Sequence, residues 1–214
     1  MIKAISFDLD GTLASDSFDR AVWHEELPRL YAKKHNLTLE QAKEKVYSTY
    51  YVALDIEKEK RWTDISYWMD RLELGDWKPL VERLKNKVFV YDDVYDVLDE
   101  LHKKYRLIII SNAEEKFLNI KLEAEKLKKY FDCIFSAPSH FGIARKNKAA
   151  FLEIIKKLKL KPEEIVHVGD DHELDYLVPS ELSMHAFHLI RGSKRKGKHI
   201  STLHELPEKI KGLS

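Results

Sequence analysis

Lys3-Ala4-Ile5-Ser6-Phe7-Asp8 (KAISFD), running on into Leu9-Asp10-Gly11-Thr12, is the stretch on which the reading of the chain turns. A short apolar run closing on an acid reads as a buried strand, and Gly11 lets the backbone turn sharply just after it. Ligands of open α/β sheets bind beyond the carboxyl ends of strands, which is where Asp8 and Asp10 would stand. Two aspartates so spaced offer a carboxylate nucleophile and a second acid. Asp-x-Asp-Gly is also a common loop pattern, so its meaning depends on what the other strand ends carry.

Four more runs read as short buried strands: 106–111 (RLIIIS), 132–136 (DCIFS), 165–170 (IVHVGD) and 184–190 (MHAFHLI). Amphipathic segments of helix length separate them. In 94–105 the apolar residues Val94, Val97, Leu98 and Leu101 fall at helical intervals, as do Phe151, Ile154, Ile155 and Leu158 in 147–160. Pro162-Glu163-Glu164 turns the chain into the next strand. The alternation predicts an α/β fold, a Rossmann-like parallel sheet with helices on both faces.

Residues 15–87 break this rhythm. They hold no strand-like run and read as several helices, interrupted near Asn36-Leu37-Thr38 and Leu74-Gly75-Asp76. Thr38 with Gln41 makes a capping box ahead of a periodic segment. All four tryptophans, Trp23, Trp62, Trp68 and Trp77, fall here, so the segment needs an apolar cluster of its own. The expected organisation is an α/β core of residues 1–14 and 88–214 with a helical insert, 15–87.

Three other elements bear on the chemistry. Val168-Gly169-Asp170-Asp171, with Asp175 close behind, ends another buried strand in acids. If that strand neighbours the first, Asp8, Asp10, Asp170, Asp171 and Asp175 converge, and crowded carboxylates raise one another's pKa unless a cation sits among them. An all-oxygen ligand set suits Mg²⁺. Ser111-Asn112 ends a third strand, where a hydroxyl can donate to a phosphoryl oxygen or simply cap a helix. Arg145, Lys146 and Lys148 supply a cation before the following helix, able to offset nucleophile and phosphoryl charge.

With these elements in order, the chain resembles the haloacid dehalogenase superfamily, in its phosphatase-like branch with a helical cap. The likeness extends through Lys121-Leu122-Glu123 to Tyr130-Phe131-Asp132, His167 to Asp170, and Leu203-His204-Glu205-Leu206-Pro207. It implies that Asp8 is phosphorylated and Asp10 is general acid/base, and that Ser111, with Asn112 and Lys146, binds the phosphoryl group. It implies Mg²⁺ on Asp8, the Asp10 carbonyl and Asp170, with Asp171 and Asp175 acting directly or through bound water, and it makes 15–87 the cap. Two departures stand out. The usual Lys-Pro is missing: counting back from Phe151 gives Arg145, while lysines stand at 146 and 148, of which Lys146 is the choice. Val178-Pro179 and Ser183 replace the small residues and glycine common in relatives.

The function expected is thus a Mg²⁺-dependent phosphatase for a small phosphorylated metabolite. A phosphomutase or phosphotransferase shares every core residue; a 2-haloacid dehalogenase fits Asp10 and the acids around Asp170 badly, and a non-catalytic binding protein fits the complete acidic set badly. His24, Tyr47, Tyr50, Tyr51, Arg61 and Trp62 are candidates to reach a substrate cleft, although aromatic residues in a helical insert more often form its private core. The 214 residues are 44% hydrophobic and carry a net charge of +1 from 37 basic and 36 acidic residues, which speaks against nucleic-acid or membrane partners. The basic run 191–199 (RGSKRKGKH) reads as a solvated loop. The one cysteine, Cys133, and a start without a secretory pattern point to a soluble cytoplasmic protein. Oligomeric state is left open, a monomer being compatible. Charged residues at 34% with Gln41 as the one glutamine resemble a hyperthermophile composition.

Overall fold

The structure, a computed structural model, describes residues 1–193 and 199–213. Five strands lie where the sequence pattern puts them: β1 (Ala4–Phe7), β2 (Arg106–Ser111), β3 (Cys133–Ser136), β4 (Ile165–Gly169) and β5 (His185–Leu189). A sixth, β6 (His199–Ile200), pairs with β5 and ends the run read from sequence as a loop. Two residues are too few to show strand alternation, so sequence alone could not reveal it. The rest of that run, 194–198, lies outside the described residues.

All strands are parallel, in the order β3-β2-β1-β4-β5-β6. The chain winds outward from β1 in one direction and then in the other, leaving a crevice beyond the carboxyl end of β1. Side-chain alternation divides the core. Leu107 and Ile109 pack with Val94, Val97, Leu98 and Leu101 on one face, while Ile108 and Ile110 pack with Phe151, Ile154 and Leu158 on the other. Both faces of the sheet are covered, which is why its strands read as unbroken apolar runs.

Residues 17–84 form helices around a separate apolar cluster that includes Phe18, Val22, Leu27, Val46, Ile65 and Trp68. The helix Leu27–His35 stops at Asn36, whose φ of 57° is left-handed. Helix Leu39–Tyr51 then starts on the capping box: Gln41 N–H donates to Thr38 Oγ1 at 3.3 Å, and Thr38 N–H to Gln41 Oε1 at 3.0 Å. The chain leaves and re-enters the sheet region side by side, with Ser15 N–H bonded to the Phe89 carbonyl at 2.8 Å and Ala14 bridged to Val90. Phe117 joins the two regions: it stands on the helix Glu115–Ala124 after β2, with its ring 5.2 Å from Phe18 and 5.4 Å from Trp23. Among the described residues no helix is long and apolar enough to cross a membrane.

The sequence departures at Pro179 and Ser183 are accommodated locally. Pro179 stands in the helix Val178–Glu181, which runs on from the helical segment His172–Leu177; its ring favours the helical φ while it forgoes one backbone donor there. Ser183 holds φ at +65°, a conformation that glycine enters freely and serine only with strain.

One buried acid ties the carboxyl-end loops together. Asp93 Oδ2 accepts from Arg191 Nη1 (3.1 Å), Thr202 Oγ1 (2.6 Å) and the Leu203 N–H (2.8 Å), and Arg191 also donates to the Thr12 carbonyl at 2.6 Å. Burial disfavours the Asp93 charge, but these donors outweigh it and hold its pKa below the ordinary value. Asp93→Ala is expected to lower stability by about 2–4 kcal/mol, because Arg191 and the Leu203 N–H lose their acceptor. Urea unfolding checks this; a loss under about 0.5 kcal/mol would remove Asp93 as the tie.

Candidate active site

Parallel register brings the chemistry-bearing residues to one end of the sheet. Phe7 is level with Ile109 and Val168, so Asp8, Ser111 and Asp170 gather at the ends of three adjacent strands. Asp8 is anchored by its own N–H, which donates to the Val168 carbonyl at 2.9 Å. Gly11, at φ +82°, turns the chain away, and a Cβ there would lie 2.2 Å from Asp170 Oδ2. Glycine is required at this point for both conformation and clearance.

Of the three candidate cations, Lys146 is the one that enters the site. Its ammonium donates to Asp8 Oδ1 at 2.5 Å, to the Ile110 carbonyl at 3.2 Å, and lies 2.5 Å from Asp175 Oδ1. Three protons meet three acceptors, so the group is held firmly with 1% of its side chain exposed. Arg145 instead places its guanidinium 5.9 Å from the Trp62 ring centre, and Lys148 reaches only the surface residue Glu181, at 3.8 Å. Asn112 secures the loop that carries Lys146, accepting the Lys146 N–H at Oδ1 over 2.6 Å.

Behind Lys146 runs a buried chain of polar groups. Asp175 accepts from His167 Nε2–H at 2.9 Å and from the Asp171 N–H at 3.1 Å. Because a carboxylate can only accept, the His167 proton sits on Nε2, and Nδ1 receives the Ser6 hydroxyl at 2.7 Å. Burial keeps the His167 pKa below the ordinary histidine value, so the ring is neutral at pH 7. Burial also works against the Asp175 charge, yet Lys146 and His167 prevail and hold its pKa well below the usual range. For Lys146, too, the two carboxylates outweigh burial and raise its pKa.

Asp8 behaves differently. Burial pushes its carboxyl well above the ordinary value; Lys146 opposes this, while Asp175, Asp170 and Asp10 add to it. Asp170 is pushed up to about 6, by burial first and then by Asp175. The side-chain hydrogen bond it accepts from Thr12 Oγ1 is long, at 3.5 Å. Asp8, Asp170 and Asp175 can each bring one oxygen to within 4.8 Å of the others. Asp175 already holds Lys146 and His167, so the under-coordinated oxygens belong to Asp8 and Asp170. An all-oxygen donor set with lone pairs still open matches what a hard divalent ion such as Mg²⁺ requires.

The remaining sequence candidates fall as follows. Ser111 is buried and accepts the Ala113 N–H at 3.0 Å, while Glu114 caps the next helix, so Ser111 is not that helix's cap. Asp171 caps the segment His172–Leu177, its Oδ1 taking the N–H groups of Glu173 and Leu174, both at 2.9 Å. Asp10 lines the same cavity, of about 210 Å³, as Asp8, Ser111, Lys146 and Asp170. Its Oδ1 accepts from Lys121 Nζ at 2.6 Å, and the same ammonium bonds Asp19 of the helical segment. Burial pushes Asp19 up to about 6 despite Lys121.

Lys121 has no role in the sequence reading beyond a likeness of residues, yet it fixes the side chain of Asp10. A signal existed. Lys121 stands four residues after Phe117 and three after Leu118, on the helix face that is otherwise apolar, where a lysine is buried only if paired. Of the candidates for a substrate cleft, His24, Tyr50 and Trp62 line a separate aromatic cavity, whereas Arg61 pairs with Glu59 at 2.8 Å on the surface.

The family model for "Hydrolase: haloacid dehalogenase-like hydrolase" matches residues 2–178. The GMP/IMP nucleotidase YrfG of Escherichia coli (strain K12) is 23% identical over 174 residues, covering 81% of this chain and 76% of that protein. A HAD phosphatase from Thermococcus onnurineus superposes with a TM-score of 0.81 at 25% identity, over 99% of each chain. A 2-haloacid dehalogenase from Pseudomonas syringae pv. Tomato DC3000 shares the fold, with a TM-score of 0.72 at 23% identity over the whole of both chains.

Proposed function

The chain belongs to the haloacid dehalogenase-like hydrolase family, and from that premise we propose a Mg²⁺-dependent phosphatase that cleaves a small phosphate monoester through an aspartyl-phosphate on Asp8. One observation carries the reading. A buried carboxylate, Asp8, faces a cavity together with a second acid, Asp10, a fixed ammonium, Lys146, and a further carboxylate with open lone pairs, Asp170. The HAD phosphatase structure and the nucleotidase relative support phosphate esters as the substrates.

Asp8 attacks phosphorus through a carboxylate oxygen, and the P–O bond to the leaving alcohol breaks as the new one forms. Asp10 gives its proton to the departing alkoxide, then takes one from the water that attacks the aspartyl-phosphate. The Ser111 hydroxyl donates to an equatorial oxygen, and Lys146, its protons held by Asp8, Asp175 and the Ile110 carbonyl, offsets the phosphoryl charge as a fixed cation. Lys121 holds Asp10 in place for both proton transfers, and Asn112 holds the Lys146 loop. Asp8, the Asp10 carbonyl and Asp170 would hold Mg²⁺, which when bound neutralises charge between the carboxylate and an anionic substrate. The helical region 15–87 acts as a cap that limits water at the reacting bond.

Phosphate release from a panel of sugar, nucleotide and small-acid phosphates, with Mg²⁺ and with EDTA, tests this. Turnover is expected with Mg²⁺, lost in EDTA and restored by added Mg²⁺; hydrolysis unaffected by EDTA overturns the metal assignment.

A stability measurement tests the cation independently. Asp8 and Asp170 both have raised pKa values in the metal-free fold, that of Asp170 about 6, so their contribution is complete below about pH 4 and is lost as pH rises through those raised values. Asp175, with its lowered pKa, acts in the opposite direction and only below about pH 4. In EDTA, Tm should therefore fall between about pH 4.5 and pH 7. Saturating Mg²⁺ should add roughly 5–10 °C at pH 7.5 and much less at pH 5. Equal shifts at both pH values would count against Asp8 and Asp170 as the site.

A further inference from the structure

Beyond the phosphate end, the cavity continues in two steps of different chemistry. A second cavity, of about 230 Å³, shares Asp10, Asn112 and Ala113 with the first; its walls are mostly apolar, with Phe117 among them, and Asp16, Asp19 and Glu114 stand at it. A third, of about 190 Å³, shares Trp23 and Trp62 with the second and adds Tyr50 and Trp68. The path thus runs from a fixed ammonium, past carboxylates set in a mostly apolar wall, to flat aromatic faces.

The polar edges of Trp62, Trp68 and Tyr50 are already satisfied within the protein. Trp62 Nε1–H donates to the Ala144 carbonyl at 3.2 Å, Trp68 Nε1–H to the Trp62 carbonyl at 2.7 Å, and the Tyr50 hydroxyl to the Trp23 carbonyl at 3.3 Å. Ring faces and the Leu54 side chain are therefore what the third cavity offers, with His24 as a polar group beside them. Trp23 and Trp62 are half-buried rather than buried, so the recess opens toward the acid-lined segment. Arg145 places its guanidinium 5.9 Å from the Trp62 ring centre.

We propose that the Trp23–Trp62 recess seats a nucleobase and that the substrates are nucleoside 5′-monophosphates. This rests on the phosphatase reading of Asp8. The three segments match such a molecule in order. The phosphate lies at Lys146 and Asp8, the ribose hydroxyls donate to the carboxylates of Asp16, Asp19 and Glu114, and the base stacks on tryptophan. The same carboxylates repel a second anionic group, which disfavours bisphosphates and phosphorylated acids.

The test compares guanosine 5′-monophosphate with ribose 5-phosphate, which lacks the base. With Mg²⁺, kcat/KM is expected to favour the nucleotide by at least about 30-fold, and Trp23→Leu or Trp62→Leu to reduce that preference by about 10-fold or more. Trp23→Phe, which keeps a ring, should retain most of it. In EDTA, where no turnover occurs, guanosine 5′-monophosphate should quench tryptophan fluorescence and ribose 5-phosphate should not. Hydrolysis of ribose 5-phosphate without quenching by, or preference for, the nucleotide overturns the recess and leaves the catalytic reading standing. Quenching with no phosphate ester hydrolysed overturns the catalytic reading instead. Equal loss on both substrates in the tryptophan variants also counts against the recess, because it marks a purely structural role.

Discussion

Asp8→Asn is expected to abolish phosphatase turnover, by about 10⁴-fold or more, while leaving the fold intact. The amide is nearly isosteric with the carboxylate but cannot form the acyl-phosphate. Stability should be retained or slightly raised, because burial and three neighbouring acids disfavour the Asp8 charge in the metal-free protein. Lys146 keeps Asp175 and the Ile110 carbonyl as partners. Phosphate release and Tm, measured together, separate a chemical defect from unfolding. Activity above one hundredth of wild type in a folded Asp8→Asn protein (about 2.7 kcal/mol of barrier) would remove Asp8 as nucleophile. Asp10→Asn, which deletes the proton carrier, should then be the more damaging change.

Lys146→Met should be costly to both stability and catalysis. It leaves Asp8 and Asp175 facing each other with no cation between them, at side-chain exposures of 8% and 1%. Breaking a buried pair by removing one partner costs about 3–5 kcal/mol, and that range is expected here in EDTA at pH 7.5. The cost should shrink as pH falls, since protonating Asp8 removes one of the opposed charges. Turnover in the folded fraction should fall about 10²- to 10³-fold, because a preorganised positive charge beside the developing phosphoryl charge is lost. Urea unfolding at pH 5 and pH 7.5, with kcat on one substrate, checks both effects. A pH-independent loss under about 1 kcal/mol would mean that the three groups are not coupled as the geometry indicates.

Much of the architecture is legible in the order of the residues. Short strands buried on both faces leave continuous apolar runs, and helices covering them leave apolar residues every three or four positions. Five strands, the helices Val94–Leu101 and Lys148–Leu158, and the Thr38–Gln41 cap follow from such local patterns. The two-residue strand β6 does not, because it is no longer than one period of strand alternation.

The site divides in the same way. Local chemistry marks Asp8, Asp10, Ser111 and Asp170, because each stands at or just past the end of an apolar run and strand ends in such sheets meet at one edge. Local chemistry could not choose among Arg145, Lys146 and Lys148, three cations within four residues. Tertiary structure chose. Asn112, from another strand end, holds the Lys146 backbone so that its ammonium enters the core, while its neighbours point to Trp62 and Glu181. The same holds for Lys121, bound to Asp10 and Asp19 across more than a hundred residues of chain, and for the Trp23–Trp62 recess.

Periodicity and turn chemistry act over a few residues, and so the amino-acid order alone specifies the sheet, the helical insertion and the acids at the strand ends. Which lysines serve those acids, and what shape lies beyond them, depends on groups brought together from distant segments. Packing of the whole chain settles both.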